Sequence, residues 1–342
     1  MPATPRPRSL PRVAVAMSAE AAAAVLDDAA VAALAGVSEL RYPPLLDAFG
    51  TERARAVLGD VEVLVTGWGC PPLDTAALAA APRLRAVVHT AGSVRGHVTP
   101  ACWERGIAVS SAAAANALPV AEYTVAMILL TGKRVLERAR AYTAARRPDD
   151  PFATPRSVGN HRRVVGVLSA SHIGRRVIEL LRPYDLEVLL HDPYVTEAGA
   201  AALGARGVGL GELFAASDVV SVHTPLLPAT RGLVSRALLD AMRPDAVLIN
   251  TARGAVVDHE ALTRAVVEGR IRAVLDVTDP ELLPPGHPLW DCDNALLTPH
   301  LAGSQGNEWR RLTDLAVAEV ARWAARDGFA HPVAPERAEF LA

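Results

Sequence analysis

The sequence predicts an α/β chain of two domains, each a parallel sheet doubly wound by helices. Three observations predict it. At 342 residues the chain exceeds what one compact core normally accommodates. Short apolar runs alternate with helical segments along its length, the order that gives a parallel sheet covered on both faces. In the second half RRVVGVL, EVLLHD, DVVSVH, AVLIN and AVLD are near-continuous apolar runs, as strands buried on both faces must be.

The elements follow in order. The N-terminal MPATPRPRSLPR is rich in Pro and Arg and is expected to fray. Strands are expected at 13–17, 61–66, 86–89 and 108–110, with helices between them such as 45–58 and 73–80. Residues 118–147 read as one long helix, with Pro119 in its first turn, where a missing N–H costs little. Val120, Met127, Ile128 and Val135 recur there at helical spacing. RRPDDPFATPRSVGN is polar and Pro-rich and reads as a loop or linker. Beyond it, strands are expected at 163–168, 187–191, 219–223, 246–250, 273–276 and 295–298, with helices at 173–182, 211–216 and 259–268. The closing helix, 307–325, would bury Leu312, Leu315, Val320 and Trp323.

Composition narrows the function classes. The chain is 51% apolar and 21% charged, with a net charge of −2 and no basic stripe, which points away from nucleic acid and charged membrane surfaces. Cys70, Cys102 and Cys292 are far apart in sequence, so no CxxC pair suggests zinc, and no metal is expected. So few thiols suit a reducing compartment. No signal peptide and no run of about eighteen uncharged apolar residues is found, so the expectation is a cytoplasmic protein without a membrane span.

A strand–turn–helix at VGVLSASHIGRR sits where a dinucleotide fingerprint, GxGxxG, belongs. Ser169, Ser171 and Gly174 hold its three glycine positions. The last glycine lets helix and strand pack closely, and the helix N-terminus suits a phosphate. Serine is small, and its hydroxyl can donate to a phosphate. Asp192 ends the next predicted strand, placed to accept hydrogen bonds from ribose hydroxyls and to repel a 2′-phosphate. No arginine follows it in HDPYVT, which favours NAD over NADP.

Reducing a 2-keto acid needs a hydride donor, a proton for the carbonyl oxygen and a cation for the carboxylate. Histidine partnered by a carboxylate is the natural proton source near neutral pH, and arginine the natural clamp. NTARGAVVD sets Arg253 just after one predicted strand, AVLDVTDPELLP sets Asp276 at the end of the next and Glu281 beyond it, and TPHLAGS sets His300 after the last. In open α/β sheets ligands bind beyond the carboxyl ends of strands. Singly, each of these residues reads as a surface or structural group; jointly they read as a catalytic set.

From residues 86 to 309 the chain resembles the D-isomer-specific 2-hydroxyacid dehydrogenase family, whose members include phosphoglycerate-, glycerate- and hydroxypyruvate-reducing enzymes. The pieces that carry the resemblance are NALPVAEYTVAMIL, HTPLLPATRGLV, INTARGAVVD, LDVTDPELLP and TPHLAGS, in the family's order. It implies two Rossmann-like domains, a discontinuous substrate domain of residues 1–118 and 302–342 and an NAD-binding domain of residues 119–301. It implies that Arg253 binds the substrate carboxylate and polarises the keto oxygen, that His300 is the general acid and base, and that Glu281 hydrogen-bonds and orients His300. Asp276 would meet the nicotinamide carboxamide, with Gly303 beside the ring. Thr224, Thr251 and Ala252, and His172 and Ile173 at the pyrophosphate turn, would line the cofactor. The amides of Ala91, Gly92 and Ser93 would hold the substrate carboxylate. The helix from Pro119 would help build a homodimer.

The chain departs from the family in two places. Val94-Arg95-Gly96-His97 replaces a Gly and an Asp-Asn pair, setting Arg95 and His97 at the pocket edge as candidate substrate contacts. The usual Trp and Gly–Leu landmarks are absent before the nucleotide strand. Two readings stay open: an active NAD-dependent reductase, and a dinucleotide-binding regulatory or interaction protein on the same fold. A formate-oxidising relative is disfavoured, because such enzymes carry Gln where this chain has Glu281.

Overall fold

The computed structural model describes residues 10–147 and 150–340, so most of the segment expected to fray lies outside the described residues. The chain divides into two compact units, Met1–Asn116 with Gln305–Ala342, and Ala117–Ser304.

The first unit holds a five-stranded sheet of β1 (Arg12–Ala16), β2 (Glu39–Leu46), β3 (Val63–Thr66), β4 (Ala86–His89) and β5 (Ala108–Ser111), in the order β2-β1-β3-β4-β5. All its pairs are parallel. Alternate residues of a strand face opposite sides of a sheet. Ala14, Ala16 and Leu64 accordingly enter one apolar core, and Val13, Val15, Val63 and Val65 enter another.

The second unit holds β6 (Arg163–Leu168), β7 (Leu186–His191), β8 (Arg206–Gly207), β9 (Val219–Val222), β10 (Val247–Asn250), β11 (Arg272–Leu275) and β12 (Ala295–Leu297). Their order is β12-β11-β10-β9-β6-β7-β8, again with parallel pairs. Leu189, Val220, Val222, Leu248 and Leu275 fill one face, and Val165, Val167, Val219, Ile249 and Val274 the other. Both sheets are therefore doubly wound. In the second, the chain reverses direction across the sheet between β6 and β9, the switch point where such folds open a crevice.

Four expectations need correction. Residues 118–147 form two helices, Ala113–Gly132 and Val135–Ala145, broken at Arg134, whose φ of 52° is left-handed. Pro119 lies inside the first of them and not in its first turn. That helix passes the length and hydropathy tests for a membrane span, yet its Ala121, Val125 and Ile128 pack in the core of the second unit. The stretch 45–58 is helical only over Glu52–Leu58, because ELRYPPLL is strand β2. Tyr42, Pro43 and Pro44 fall at a register shift where β2 pairs with β1, and β2 is an edge strand, where proline's missing donor is tolerated. The closing helix, Trp309–Ala325, buries Leu312, Thr313, Ala316, Glu319 and Val320, while Leu315 and Trp323 are half-buried. Glu319 is tolerated inside because Ser110 Oγ donates to it at 2.7 Å and the amides of Ala330 and His331 at 3.0 and 3.2 Å.

Candidate active site

The predicted residues of the C-terminal half all fall in the second unit, on segments that follow the carboxyl ends of its strands. Ser169 follows β6, Asp192 follows β7, Thr224 lies two residues past β9, Thr251–Arg253 follow β10, Asp276 follows β11, and the turn bearing His300 follows β12. Parallel strands bring these ends to one edge.

At the switch point, Ser169 has a φ of 80°, a conformation that favours glycine. Its amide donates to the His191 carbonyl at 2.9 Å, and its hydroxyl lies 3.1 Å from Thr224 Oγ1, joining the ends of β6 and β9. Ser171 caps the helix His172–Leu181, its hydroxyl oxygen accepting from the Gly174 amide at 3.3 Å. A Cβ on Gly174 would overlap the Ser169 carbonyl oxygen, so this glycine alone permits the tight turn. Asp192 accepts from the Ala170 amide at 2.8 Å with one oxygen and from the Tyr194 amide at 2.8 Å with the other, which leaves acceptor capacity on both. A cavity of about 260 Å³ opens beside it, lined by Asp192, Leu190, Val195, Val208 and Glu212 among others. The obligatory glycine, the helix N-terminus and this acid-lined cavity fit a dinucleotide. His223, at the end of β9, is fully enclosed; burial pushes its pKa down to about 3, and the neutral ring pairs through Nε2 with Ser221 Oγ at 2.9 Å.

The catalytic candidates are linked through their loops. Arg253 is half-buried; its Nη1 donates to the Ala252 carbonyl at 2.6 Å, and Asn250 Nδ2 donates to the Arg253 carbonyl at 3.0 Å. A Cβ on Gly254 would overlap the Thr278 carbonyl, so glycine there lets the Arg253 loop lie against the loop that carries Glu281. Glu281 Oε1 lies 2.6 Å from His300 Nδ1. Against an ionised carboxylate Nδ1 carries the proton and donates, so Nε2 is the nitrogen left for a ligand. Both side chains are about half exposed, so their proximity, rather than burial, defines the pair.

His300 itself has a φ of 52°. Its turn wraps around the buried Asp276. One carboxylate oxygen accepts from Thr298 Oγ1 at 2.6 Å and the Leu301 amide at 2.8 Å, and the other from the Ala302 amide at 3.0 Å. The His300 amide donates to the Asp276 carbonyl at 3.0 Å. Asp276 thus has one carboxylate acceptor position left for a ligand amide, and most of its capacity shapes the turn. Thr224, Thr251 and Ala252 are buried, Ile173 and Gly303 half-buried, and His172 exposed.

In the first unit Ala91, Gly92 and Ser93 follow β4, the first two buried and Ser93 half-buried. His97 belongs to a buried hydrogen-bonded cluster. It is buried, its Nε2 3.0 Å from Thr66 Oγ1, which also lies 3.0 Å from His89 Nδ1. Burial pushes His89 down to about 3 and His97 to about 4, so both rings are neutral near neutral pH. Arg95, two residues past Ser93, is exposed. Sequence reading missed Thr66 and His89; His89 lies two residues before the loop, and Thr66 ends the neighbouring strand β3. It also missed Thr298 and Tyr123, which join Asp276 in one hydrogen-bonded chain.

Comparison with known proteins bears on this edge. Residues 125–302 match the family described as D-isomer specific 2-hydroxyacid dehydrogenase, NAD binding domain. A D-3-phosphoglycerate dehydrogenase of Mycobacterium leprae is 31% identical over 293 residues, 85% of this chain and 54% of the relative, so the chain spans about half the length of that protein. A glyoxylate reductase of Thermofilum pendens is 34% identical over 251 residues, 71% of this chain and 73% of the relative. Among solved structures, the TT0316 protein of Thermus thermophilus superposes with a TM-score of 0.72 at 29% identity, covering 94% of this chain and 100% of that one.

Proposed function

The chain belongs to the D-isomer specific 2-hydroxyacid dehydrogenase family, and on that footing we propose that it transfers a hydride between NAD(H) and a D-2-hydroxy/2-keto acid pair, working as a reductase. The observation that carries the proposal is the 2.6 Å Glu281–His300 pair, with the loop of Glu281 packed against that of Arg253.

Bound NADH supplies the hydride. Ser169, Ser171, His172, Ile173, Gly174, Asp192, Thr224, Thr251, Ala252, Asp276 and Gly303 hold it, and Asp192 selects NAD over NADP by meeting the ribose hydroxyls with a negative charge. Arg253 takes the substrate carboxylate and draws electron density toward the keto oxygen, assisted by the amides of Ala91, Gly92 and Ser93. As charge develops on that oxygen, His300 Nε2 delivers a proton to it, and Glu281 stabilises the ring through Nδ1 throughout. In oxidation the same nitrogen removes the hydroxyl proton.

Residues 1–118 and 302–342 act as the substrate domain and 119–301 as the cofactor domain. The enzyme works in the cytoplasm as a homodimer, supported by the exposed Val135, Tyr142 and Phe152. A second reading, an NAD-binding regulatory protein with weak catalysis, draws on serine at two positions of the glycine turn. Loss of absorbance at 340 nm with NADH separates the two, scanning glyoxylate, hydroxypyruvate, pyruvate and bulkier 2-keto acids. Turnover with one of them supports the reductase; NADH binding without turnover supports the binder.

A further inference from the structure

Tyr123 and Thr124 are neighbours on the helix Ala113–Gly132, far in sequence from any residue given a chemical role. Tyr123 Oη lies 2.9 Å from Thr298 Oγ1, on the turn that carries His300. Thr124 Oγ1 lies 3.3 Å from Thr251 Oγ1, on the loop that carries Arg253.

The proton inventory gives each contact a direction. A threonine hydroxyl has one proton to donate. Thr298 gives its proton to Asp276 at 2.6 Å, so Tyr123 must be the donor to Thr298. Burial raises the Tyr123 phenol against its hydrogen bond to Thr298, and the charge of Asp276 adds to the rise, so the donor keeps its proton at neutral pH. Thr124 gives its proton to the Val120 carbonyl at 2.8 Å, so Thr251 must be the donor to Thr124. One chain therefore runs from Tyr123 through Thr298 to the Asp276 carboxylate, which also holds the amides after His300. A separate contact fixes the loop of the guanidinium.

We propose that Tyr123 and Thr124 are positioning residues of the reaction centre, together setting the placement of the proton donor His300 relative to the carboxylate clamp Arg253. The proposal rests on the reductase reading for its kinetic consequence. Its physical basis is that His300 occupies a left-handed conformation, which persists only when its surroundings over-determine it. The tether adds to the contact that Glu281 makes with the His300 ring. A misplacement of about 1 Å at a reacting group can cost roughly a hundredfold in rate.

The test compares Tyr123→Phe, Thr298→Val, Thr298→Ser and Thr124→Ala in the full chain. Tyr123→Phe should lower kcat roughly 10- to 100-fold, with keto-acid KM and NADH Kd within about twofold and the melting temperature retained. Thr298→Ser, which keeps the hydroxyl, should recover most of the rate lost in Thr298→Val. Combining Tyr123→Phe with Thr298→Val should cost no more than Thr298→Val alone, because both cut one chain. Thr124→Ala should act mainly on keto-acid KM, since it frees the Arg253 loop. An unchanged kcat in Tyr123→Phe, or a joint loss of rate, NADH affinity and melting temperature, would overturn the proposal. A second readout does not depend on turnover. In ¹⁵N-histidine-labelled protein, with the His300 signals assigned through His300→Ala, Tyr123→Phe should shift the His300 ring resonances. Unshifted resonances overturn the tether. Wild-type protein inert toward every 2-keto acid but showing that shift would instead sink the reductase reading and leave the tether standing.

Discussion

The turn after β6 and the turn after β12 are built alike and held differently. Each puts a residue other than glycine in the left-handed region, Ser169 at 80° and His300 at 52°, and each is pinned by an aspartate from the end of the neighbouring strand. Asp192 gives the first turn a single bond, to the Ala170 amide, and spends its other oxygen on Tyr194. Asp276 gives the second turn three bonds through its carboxylate and a fourth through its carbonyl. A left-handed non-glycine residue costs roughly 1–2 kcal/mol, so the number of bonds opposing that cost decides how firmly the turn stays in place. The Asp276 turn carries His300, the proposed proton donor, whose placement would set the rate. The Asp192 turn, held also by the Ser169 amide on the His191 carbonyl and by the Ser169–Thr224 hydroxyl contact, stands where glycines would normally remove the cost altogether.

The contrast can be broken at the aspartates, and the largest effect is expected at Asp276. Asp276→Ala would orphan one hydroxyl and two amides, each costing about 1–3 kcal/mol when buried without a partner. Thermal melting should fall markedly, and kcat should drop roughly a hundredfold as the His300 turn relaxes. Asp192→Ala, which orphans only the Ala170 amide among buried donors, should lower melting less than Asp276→Ala does and lower the NAD-to-NADP preference roughly tenfold, read as the ratio of kcat/KM values. A melting loss as large as that of Asp276→Ala would erase the distinction between the turns.

Acid should loosen the region of the first turn. His223 is held at about 3 by burial, next to the Thr224 that bonds Ser169, whereas an unfolded histidine titrates near 6.5. Between those values the unfolded chain binds more protons than the folded one. The stability is therefore complete above about pH 6.5 and declines as the pH falls toward 3. Urea midpoints measured from pH 7 down to pH 4 should fall, and His223→Asn should flatten the slope. The smallest effect is expected for Ser169→Gly, which removes about 1 kcal/mol of backbone cost and loses the Thr224 contact. NADH should bind no more than a few-fold more tightly by calorimetry; a large loss of affinity would mean that the Ser169 hydroxyl is the dominant ligand.

Much of this was legible in the sequence, for identifiable reasons. Strands such as Arg163–Leu168 and Ala86–His89 are buried on both faces and read as unbroken apolar runs, so their limits were readable. Strand β2 was hidden because two prolines argue against a strand until its edge position is known. The break at Arg134 was hidden because apolar spacing continues through Val135 on the far side of it. The placement of Arg253 and His300 after strand ends was legible because apolar runs end just before them, and the Glu281–His300 contact joins two of the loops that follow strand ends. The tether was not: Tyr123 and Thr298 are 175 residues apart, Thr124 and Thr251 are 127 apart, and hydroxyl pairs leave no periodic trace. The buried Thr66–His89–His97 cluster was missed for the same reason.

The central claim is that His300 moves the proton and does not hold the cofactor. Single-turnover oxidation of bound NADH by the best 2-keto acid, in wild type and His300→Ala, tests it most directly when NADH affinity is measured on the same preparations. The account predicts equal NADH affinity and a rate roughly two to four orders of magnitude lower in the variant. A variant that oxidises NADH at the wild-type rate, or one that no longer binds it, would contradict the account.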